Sequence, residues 1–405
     1  MTALPRQCAV LVGGKGTRLG SLTVATPKPL LDCGGRPFIA WILRELSRFG
    51  IEEFILLTGH LSDQLRTFAA ELPRILPKPV TVKLSCEALP AGTGGALWHA
   101  KNLFDERFLV VNGDSWCDTN LARFIAAAAL PSHALGHILL TQVEDASRYG
   151  IVQLSGSRVV AFDGKPKTQT SGTINAGVYI LHRDILDLLR PVCSLEQQVL
   201  PQLASLGHLA GTVANGYFID IGIPNDYARA SVEIPKRLRR PAAFFDRDSI
   251  LTEDLGRVSS PERFQWVLGA RDAIRAVTDA GFHAFIVTNQ VGTGRDPYTK
   301  EDDIASHHSM LEELLLSGGA VDDMRFFPTL PEAADLAYCG ASSQHKPEPS
   351  IIVDLVQKWE VETRQSFLVS DKEIDLQCAA GADIPAYRFS GGDLYAFVTN
   401  LLANR

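Results

Sequence analysis

Short apolar runs recur along the first part of the chain and alternate with amphipathic stretches. QCAVLV, EEFILLTG, VTVKLS, RFLVVNG, GHILLTQV and INAGVYIL are rich in β-branched and aliphatic residues, the composition of strands buried in a sheet. Between several of them, FIAWILRELSRFG and LSDQLRTFAAEL space their apolar residues three and four apart, which predicts helices with one buried face. Strands separated by helices predict an α/β fold whose sheet is mostly parallel and covered on both faces. After DYARASVEI the pattern breaks. Pro235 to Pro241 is basic, bounded by prolines and without apolar periodicity, so 235–241 reads as a linker. A new apolar strand, Ala242 to Phe245, starts at once. Two domains are therefore expected, 1–234 and 242–405, with no internal repeat or low-complexity tract.

Composition agrees with this division. At 405 residues the chain is long enough for two or three domains. It is 46% hydrophobic and 21% charged, as ordinary globular chains are. A net charge of −7 argues against bulk attraction to nucleic acid or an anionic membrane. No charged n-region precedes a long apolar segment, so neither a signal peptide nor a membrane span is expected. The cysteines Cys8, Cys33, Cys86, Cys117, Cys193, Cys339 and Cys378 are scattered without a C-x-x-C pair. An odd, dispersed set suggests reduced thiols in the cytoplasm rather than a disulfide frame or a zinc site.

The chemistry starts at VLVGGKGTRLG, Val10 to Gly20. A tight turn alone would account for one or two glycines. It does not account for Lys15 and Arg18 among them, or for TPKPLL, Thr26 to Leu31, close downstream. The spacing is neither G-x-x-x-x-G-K-[ST] nor G-x-G-x-x-G, because Leu19 stands where the third Rossmann glycine belongs. Backbone N–H groups with Arg and Lys nearby nonetheless suit a polyphosphate. In α/β sheets ligands bind at the carboxyl ends of strands, and three motifs fall at such ends. These are the glycine loop, LPAGTGGAL (Leu89 to Leu97, expected to open a helix at Gly94 to Ala96) and VVNGDSW, which puts Asp114 at a strand tip. Asp114 could cap a turn, the commoner use of such an aspartate, or hold Mg²⁺ against a nucleotide. Asp220 in YFIDIGIPNDY also ends an apolar run. Two strand-end acids with a glycine–arginine loop favour metal-assisted phosphate chemistry.

GGKGTRLG, TPKPLL, GTGGAL, NGD, FDGKP, INAGVYI, SLEQQVLPQL and FIDIGIPNDY occur in an order and spacing that resembles the sugar-nucleotide pyrophosphorylases, over residues 7–232. RYGIV, INAGVYI and FIDIGIPNDY look most like the guanylyltransferases acting on D-glycero-D-manno-heptose 1-phosphate, with those for mannose 1-phosphate close behind. The resemblance implies a Rossmann-like mixed sheet and a reaction joining a sugar 1-phosphate to an NTP, GTP favoured, with release of pyrophosphate. It implies that Gly13, Gly14, Gly16 and Thr17 admit the triphosphate. Arg18 neutralises its β- and γ-phosphates, and Lys28 touches the α-phosphate and sugar phosphate. Glu87, Gly92 and Gly94 lie near base or sugar. Asp114 and Asp220 hold Mg²⁺, Lys165 grips the sugar phosphate, and Asn175, Gly177 and Glu196 bind sugar hydroxyls. No protein nucleophile is needed, so positioning and electrostatics carry the catalysis. Gly164 stands where the family has the Glu of FxEKP, which removes one sugar contact.

The second part has its own motifs. FFDRDSILTED places Asp246 and Asp248 two apart after an apolar strand, HAFIVTNQ ends at Thr288 and Asn289, HKPEPS supplies Lys346, and SFLVSDKEID supplies Asp371 and Asp375. Two carboxylates beyond a strand end can divide labour, one attacking phosphorus and one protonating the leaving oxygen. This order resembles the haloacid dehalogenase superfamily, and within it the D-glycero-D-manno-heptose 1,7-bisphosphate phosphatases, over 242 to about 400. The resemblance implies a second Rossmannoid domain. It makes Asp246 the nucleophile and Asp248 the acid/base, with phosphate on Thr288, Asn289 and Lys346 and Mg²⁺ among Asp246, Asp248, Asp371 and Asp375. Ser249 and Ser370 replace glycines of that pattern, and the C-x-H and C-x-C zinc ligands are missing between Phe326 and His345, so no zinc is expected. Together the halves imply a bifunctional cytoplasmic enzyme of nucleotide-activated heptose synthesis, with which a homo-oligomer is compatible. The alternatives are a transferase for another sugar 1-phosphate using GTP, UTP, CTP or dTTP, and a second half that serves as a regulatory or binding module.

Overall fold

The computed structural model describes residues 4–129, 133–253, 265–290, 300–328 and 349–405. It divides into two compact units, Met1–Thr119 with Ala127–Leu238, and Asn120–Ala126 with Arg239–Arg405.

The first unit is built on a nine-stranded sheet. Its strands are β1 (Gln7–Leu11), β2 (Glu53–Thr58), β3 (Thr81–Cys86), β4 (Arg107–Asn112), β6 (Gly136–Val143), β7 (Val152–Ser155), β8 (Arg158–Phe162), β9 (Gly172–His182) and β10 (Leu209–Ala214), in the order β3-β2-β1-β4-β9-β6-β10-β8-β7. Each of the six apolar runs first singled out in the sequence, QCAVLV to INAGVYIL, is one of these strands. The sheet is mixed, as the family resemblance implies, and not mostly parallel as the alternation of strands and helices predicts. β1 to β4 run parallel, but β9 is inserted antiparallel between β4 and β6. A separate two-stranded ribbon pairs β5 (Ser115–Asp118) with β11 (Tyr217–Asp220). Helices Phe38–Arg48 and Ser62–Ile75 fall where the periodicity placed them. The glycine-rich helix runs Gly92–His99, opening two residues before the expected start.

The stretch expected as a linker is largely helical. Helix Pro224–Leu238 runs through Pro235 into it. Ile234 and Leu238, one turn apart, are buried, and this contact carries the helix past its proline.

The second unit holds a five-stranded parallel sheet: β12 (Ala242–Phe245), β13 (His283–Gln290), β14 (Asp323–Pro328), β15 (Phe367–Ser370) and β16 (Ala386–Arg388), in the order β14-β13-β12-β15-β16. Alternate residues serve opposite faces, as strand geometry dictates. Ala243, Phe245, Ala284 and Ile286 join one core, while Ala242, Phe244, Phe285 and Val287 join another. Burial on both faces explains why β12 reads as an unbroken apolar run.

Candidate active sites

The glycine loop leaves β1 and lines one wall of a cavity of about 880 Å³. Gly13, Gly14, Lys15, Gly16, Thr17 and Arg18 all face it, with Lys28, Glu87, Gly92, Asp114 and Glu196 also on its lining. Gly16 sits at φ 64, and a Cβ there would press on Thr23 and on the Lys28 Cβ, at 3.0 and 3.2 Å. The loop therefore needs glycine both for its backbone and to seat Lys28 beneath it. The Glu87 carboxylate accepts a hydrogen bond from the Ala91 N–H at 3.2 Å, tying the end of β3 to the next helix. Burial raises its pKa, against the opposing pull of the Ala91 N–H and His99.

The carboxylates converge because of the ribbon. Asp220 pairs with Ser115 in the β5–β11 register, and the Ile221 N–H donates to the Asp114 carbonyl at 3.0 Å. The two acids are thereby brought to one spot from distant parts of the chain. Lys28, whose side chain is 8% exposed, lies between them, its Nζ 2.6 Å from Asp114 Oδ2 and 3.6 Å from Asp220 Oδ1. A Cβ on Gly222 would come within 2.9 Å of Asp220 Oδ1 and 3.1 Å of Arg18 Nη2, so Arg18 reaches the same point. Burial, then Asp114, pushes the pKa of Asp220 up, against Lys28, Arg148 and Arg18. Asp220 Oδ1 is buried without a hydrogen-bond partner. An orphaned carboxylate oxygen beside a second carboxylate fits a hard divalent cation. Among the described residues no three His, Cys, Asp or Glu side chains are grouped so as to hold a metal ion by themselves. Ligands beyond these two acids would come from the substrate.

The residues expected to bind sugar are placed differently from one another. Glu196 lines the cavity and accepts hydrogen bonds from Thr93 Oγ1 at 2.5 Å and Ser194 Oγ at 3.2 Å. Asn175 is turned to its own strand, with Nδ2 donating to Tyr179 Oη at 2.9 Å and Oδ1 accepting from the Gly177 N–H at 2.9 Å. Gly177 packs on Asn112, itself on the cavity wall. Lys165 is exposed in the loop after β8 and is not on the cavity lining. Gly164 beside it faces open space.

Gly92 and Gly94 owe their identity to packing. At Gly92, φ is 75 and a Cβ would fall 2.5 Å from the Cys193 carbonyl oxygen; at Gly94 it would fall 2.7 Å from Cys193 Sγ. The Gly94 and Gly95 N–H groups donate to that same carbonyl, at 3.0 and 3.1 Å. Gly92→Ala should cost on the order of 2–4 kcal/mol from left-handed strain plus a backbone clash, seen as a lowered Tm. An unchanged Tm would show that the Cys193 loop yields.

In the second unit, Asp246 follows β12 and is 1% exposed. One carboxylate oxygen accepts from the Arg247 N–H at 3.0 Å and the other from Lys372 Nζ at 2.8 Å. Burial works against the charge of Lys372, but Asp246 beside it raises the pKa above its ordinary value. Asp248 is gripped by Arg247, Nε to Oδ1 at 2.8 Å and Nη2 to Oδ2 at 3.2 Å, and Thr288 Oγ1 donates to Asp248 Oδ2 at 3.5 Å. Arg247 Nη1 also meets His307 Nε2 at 2.9 Å. Burial and the Arg247 charge push the His307 pKa down to about 4, so its ring is neutral and accepts. The parallel sheet gathers these groups, since β12, β13 and β15 all end at the same edge. Ser249 adopts φ 67, the left-handed conformation that its pattern gives to glycine. Ser370 is fully buried and donates to Asp375 Oδ2 at 2.6 Å, while its Oγ accepts from the Lys372 N–H at 3.1 Å. Asp375 thus braces the loop that carries Asp371, whose Oδ1 is buried without a hydrogen-bond partner. Lys346 and the segment expected to lack zinc ligands lie outside the described residues, apart from its first strand residues, and the Asn289 side chain is likewise outside them.

Three residues that lie inside the quoted motifs but were assigned no role there stand beside the candidate site residues. Arg148 pairs with Asp226 and lies 3.7 Å from Asp220. Lys372 holds Asp246, and Thr93 holds Glu196. The signal for Arg148 was RYG in an otherwise polar loop, and that for Lys372 was its place beside Asp371.

Residues 8–237 match the nucleotidyl transferase family model. Mannose-1-phosphate guanyltransferase beta-B of Xenopus laevis is 35% identical over 228 residues, covering 54% of this chain and 61% of that protein. The chain therefore spans about three fifths of that relative's length. The crystal structure of HddC from Yersinia pseudotuberculosis complexed with GMP-PN is 31% identical, covers 56% of this chain and 98% of that one, and gives a TM-score of 0.50. A D-glycero-beta-D-manno-heptose-1,7-bisphosphate 7-phosphatase of Rhodopseudomonas palustris is 40% identical over 164 residues, 40% of this chain and 91% of that protein. A glycine loop after β1, a lysine set between two carboxylates and a family match over more than half the sequence lead to one conclusion: the chain belongs to the nucleotidyl transferase family.

Proposed function

We propose that the first unit transfers a guanylyl group from GTP to D-glycero-D-manno-heptose 1-phosphate and that the second removes the 7-phosphate from heptose 1,7-bisphosphate. The observation that carries the transferase reading is the placement of Lys28 between Asp114 and Asp220 at the wall of the cavity that the glycine loop lines. An oxygen of the sugar phosphate attacks the α-phosphorus, the bond from α-phosphorus to the bridging oxygen breaks, and pyrophosphate leaves. Arg18 and the N–H groups of the glycine loop would take up its charge, while Lys28 would meet the charge that builds at the α-phosphate. Asp114 and Asp220 would hold Mg²⁺, which when bound offsets phosphate charge and orients the oxygens.

In the second unit a haloacid dehalogenase-type mechanism fits the residues. An Asp246 oxygen attacks phosphorus to give an aspartyl phosphate, Asp248 gives a proton to the leaving sugar oxygen, and water then hydrolyses the phosphoenzyme. Lys372, 2.8 Å from an Asp246 oxygen, would supply the counter-charge to the attacking carboxylate. Mg²⁺ would be held by Asp246 and Asp371, with Asp375 bracing the loop that carries Asp371. The relative named as a heptose bisphosphate phosphatase supports this reading, as does its chemistry, because its product is what the first unit would consume.

The test is a matrix of NTPs against sugar 1-phosphates, including mannose 1-phosphate and both heptose anomers, read by pyrophosphate release. GTP with a heptose 1-phosphate should turn over fastest. Faster turnover with UTP or dTTP across the sugars would overturn the assignment of the base.

A further inference from the structure

We infer that Arg148 is a positioning residue for nucleotidyl transfer, fixing the Asp220 carboxylate in the orientation that admits a divalent cation. This rests on the reading of Asp220 as a Mg²⁺ ligand. Arg148 precedes β7, far in sequence from either acid it touches. Its Nη1 is paired with Asp226 Oδ2, and its Nη2 lies 3.7 Å from Asp220 Oδ2. Nη2 is buried and has no hydrogen-bond partner. Asp220 closes β11 and Asp226 opens the following helix, so one guanidinium bridges the two ends of the turn between them. The other Asp220 oxygen, Oδ1, faces Lys28 at 3.6 Å. Lys28 and Arg148 thus flank the carboxylate, one on each oxygen, neither close enough to form a direct hydrogen bond, with the Arg18 charge also acting on it.

That arrangement is asymmetric. Lys28 is committed to Asp114 at 2.6 Å, and Arg148 is committed to Asp226. Each cation attracts Asp220 while being anchored elsewhere, which leaves Asp220 Oδ1 directed at the site and unfilled. Without Arg148, Oδ2 loses its counter-charge, and the carboxylate is drawn toward Lys28, across the place a cation would take. The loop itself has independent support. Tyr149 packs edge-on to Phe218 of β11 with ring centroids 5.8 Å apart, and Ile151 bridges to Ile174. A change at position 148 should therefore alter the carboxylate more than the backbone. Groups that orient metal ligands from behind commonly affect metal affinity by 10–100-fold, to order of magnitude.

The experiment is an electron paramagnetic resonance titration of Mn²⁺ with GTP present, on wild type, Arg148→Gln, Arg148→Lys and Asp220→Asn, alongside the Mg²⁺ dependence of turnover. Arg148→Gln should weaken Mn²⁺ binding about tenfold or more and raise half-saturating Mg²⁺ in parallel, with kcat largely recovered at high Mg²⁺ and the KM for GTP there little changed. Arg148→Lys should recover much of the affinity. A lowered kcat with unshifted Mn²⁺ and Mg²⁺ titrations, while Asp220→Asn loses Mn²⁺, would overturn the inference alone. Unchanged Mn²⁺ binding in Asp220→Asn would instead overturn the metal reading beneath it. Should Arg148→Gln fail to fold, a folded Arg148→Met with a wild-type Mn²⁺ titration would still refute the role, and a titration shifted to weaker binding would support it.

Discussion

Asp220→Asn should abolish measurable pyrophosphate release, a loss on the order of 10²–10³-fold or more, in a protein that remains folded. The amide keeps the shape of the side chain but removes the charge that would face Asp114 across a divalent cation. Stability should move the other way. A carboxylate whose folded pKa is raised binds its proton more readily in the fold than in the unfolded chain. Its contribution is therefore most favourable below the unfolded pKa and is lost as pH rises through the raised one. Asp220 is such a group, pushed up by burial first and by Asp114 second. At neutral pH the ionised side chain costs the ligand-free fold stability, and the amide does not. The variant should melt at or above the wild-type temperature while being inactive. Near-normal turnover in Mg²⁺ would remove Asp220 from the site, and a large drop in Tm would mean that its charge is needed for folding.

Asp246→Asn should eliminate phosphatase turnover, by roughly 10⁴-fold or more, because an amide cannot form the aspartyl phosphate. Nucleotidyl transfer should be unchanged when heptose 1-phosphate is supplied directly. Asp246 lies in the unit that begins at Arg239, on a sheet with its own two cores, whereas Lys28, Asp114 and Asp220 lie in the other unit. Phosphate release from heptose 1,7-bisphosphate and pyrophosphate release from GTP would be followed separately on the same preparation. Loss of both activities in a folded variant would show one coupled site in place of two. Retention of phosphatase turnover would show that another group attacks phosphorus.

Much of this was legible locally. The six apolar runs of the first part are strands because buried strands need a continuous run of bulky side chains, and such runs are visible without a partner. The glycine loop was legible because Lys15 and Arg18 among glycines have few purely structural uses. What escaped depends on residues far apart in sequence. Strand direction is not written in a strand's own pattern, so the apolar runs alone suggested a mostly parallel sheet; the resemblance implied a mixed one without marking β9 as the antiparallel strand. The β5–β11 ribbon has only four residues on each side, yet it is what brings Asp114 and Asp220 together. Gly92 and Gly94 look like ligand-facing glycines until the Cys193 loop is placed against them. Arg148 in RYGIV and Asp226 in FIDIGIPNDY were given no role by the motifs that contain them, and only their pairing beside Asp220 suggests one. Pro235 among basic residues suggested a linker, because the burial of Ile234 and Leu238 that sustains the helix is a tertiary fact.

The central claim, that one chain performs consecutive steps on a heptose phosphate, is tested most directly in a single vessel. Wild-type protein would be given GTP, Mg²⁺ and heptose 1,7-bisphosphate, with phosphate, pyrophosphate and the nucleotide sugar followed over time. The account predicts that phosphate appears first, that pyrophosphate follows after a lag, and that GDP-heptose accumulates in step with pyrophosphate. In Asp246→Asn all three should be absent until heptose 1-phosphate is added, which should restore pyrophosphate and GDP-heptose alone. Pyrophosphate released with no lag and without prior phosphate, or phosphate released with no nucleotide sugar under any combination of NTP and heptose phosphate, would contradict it.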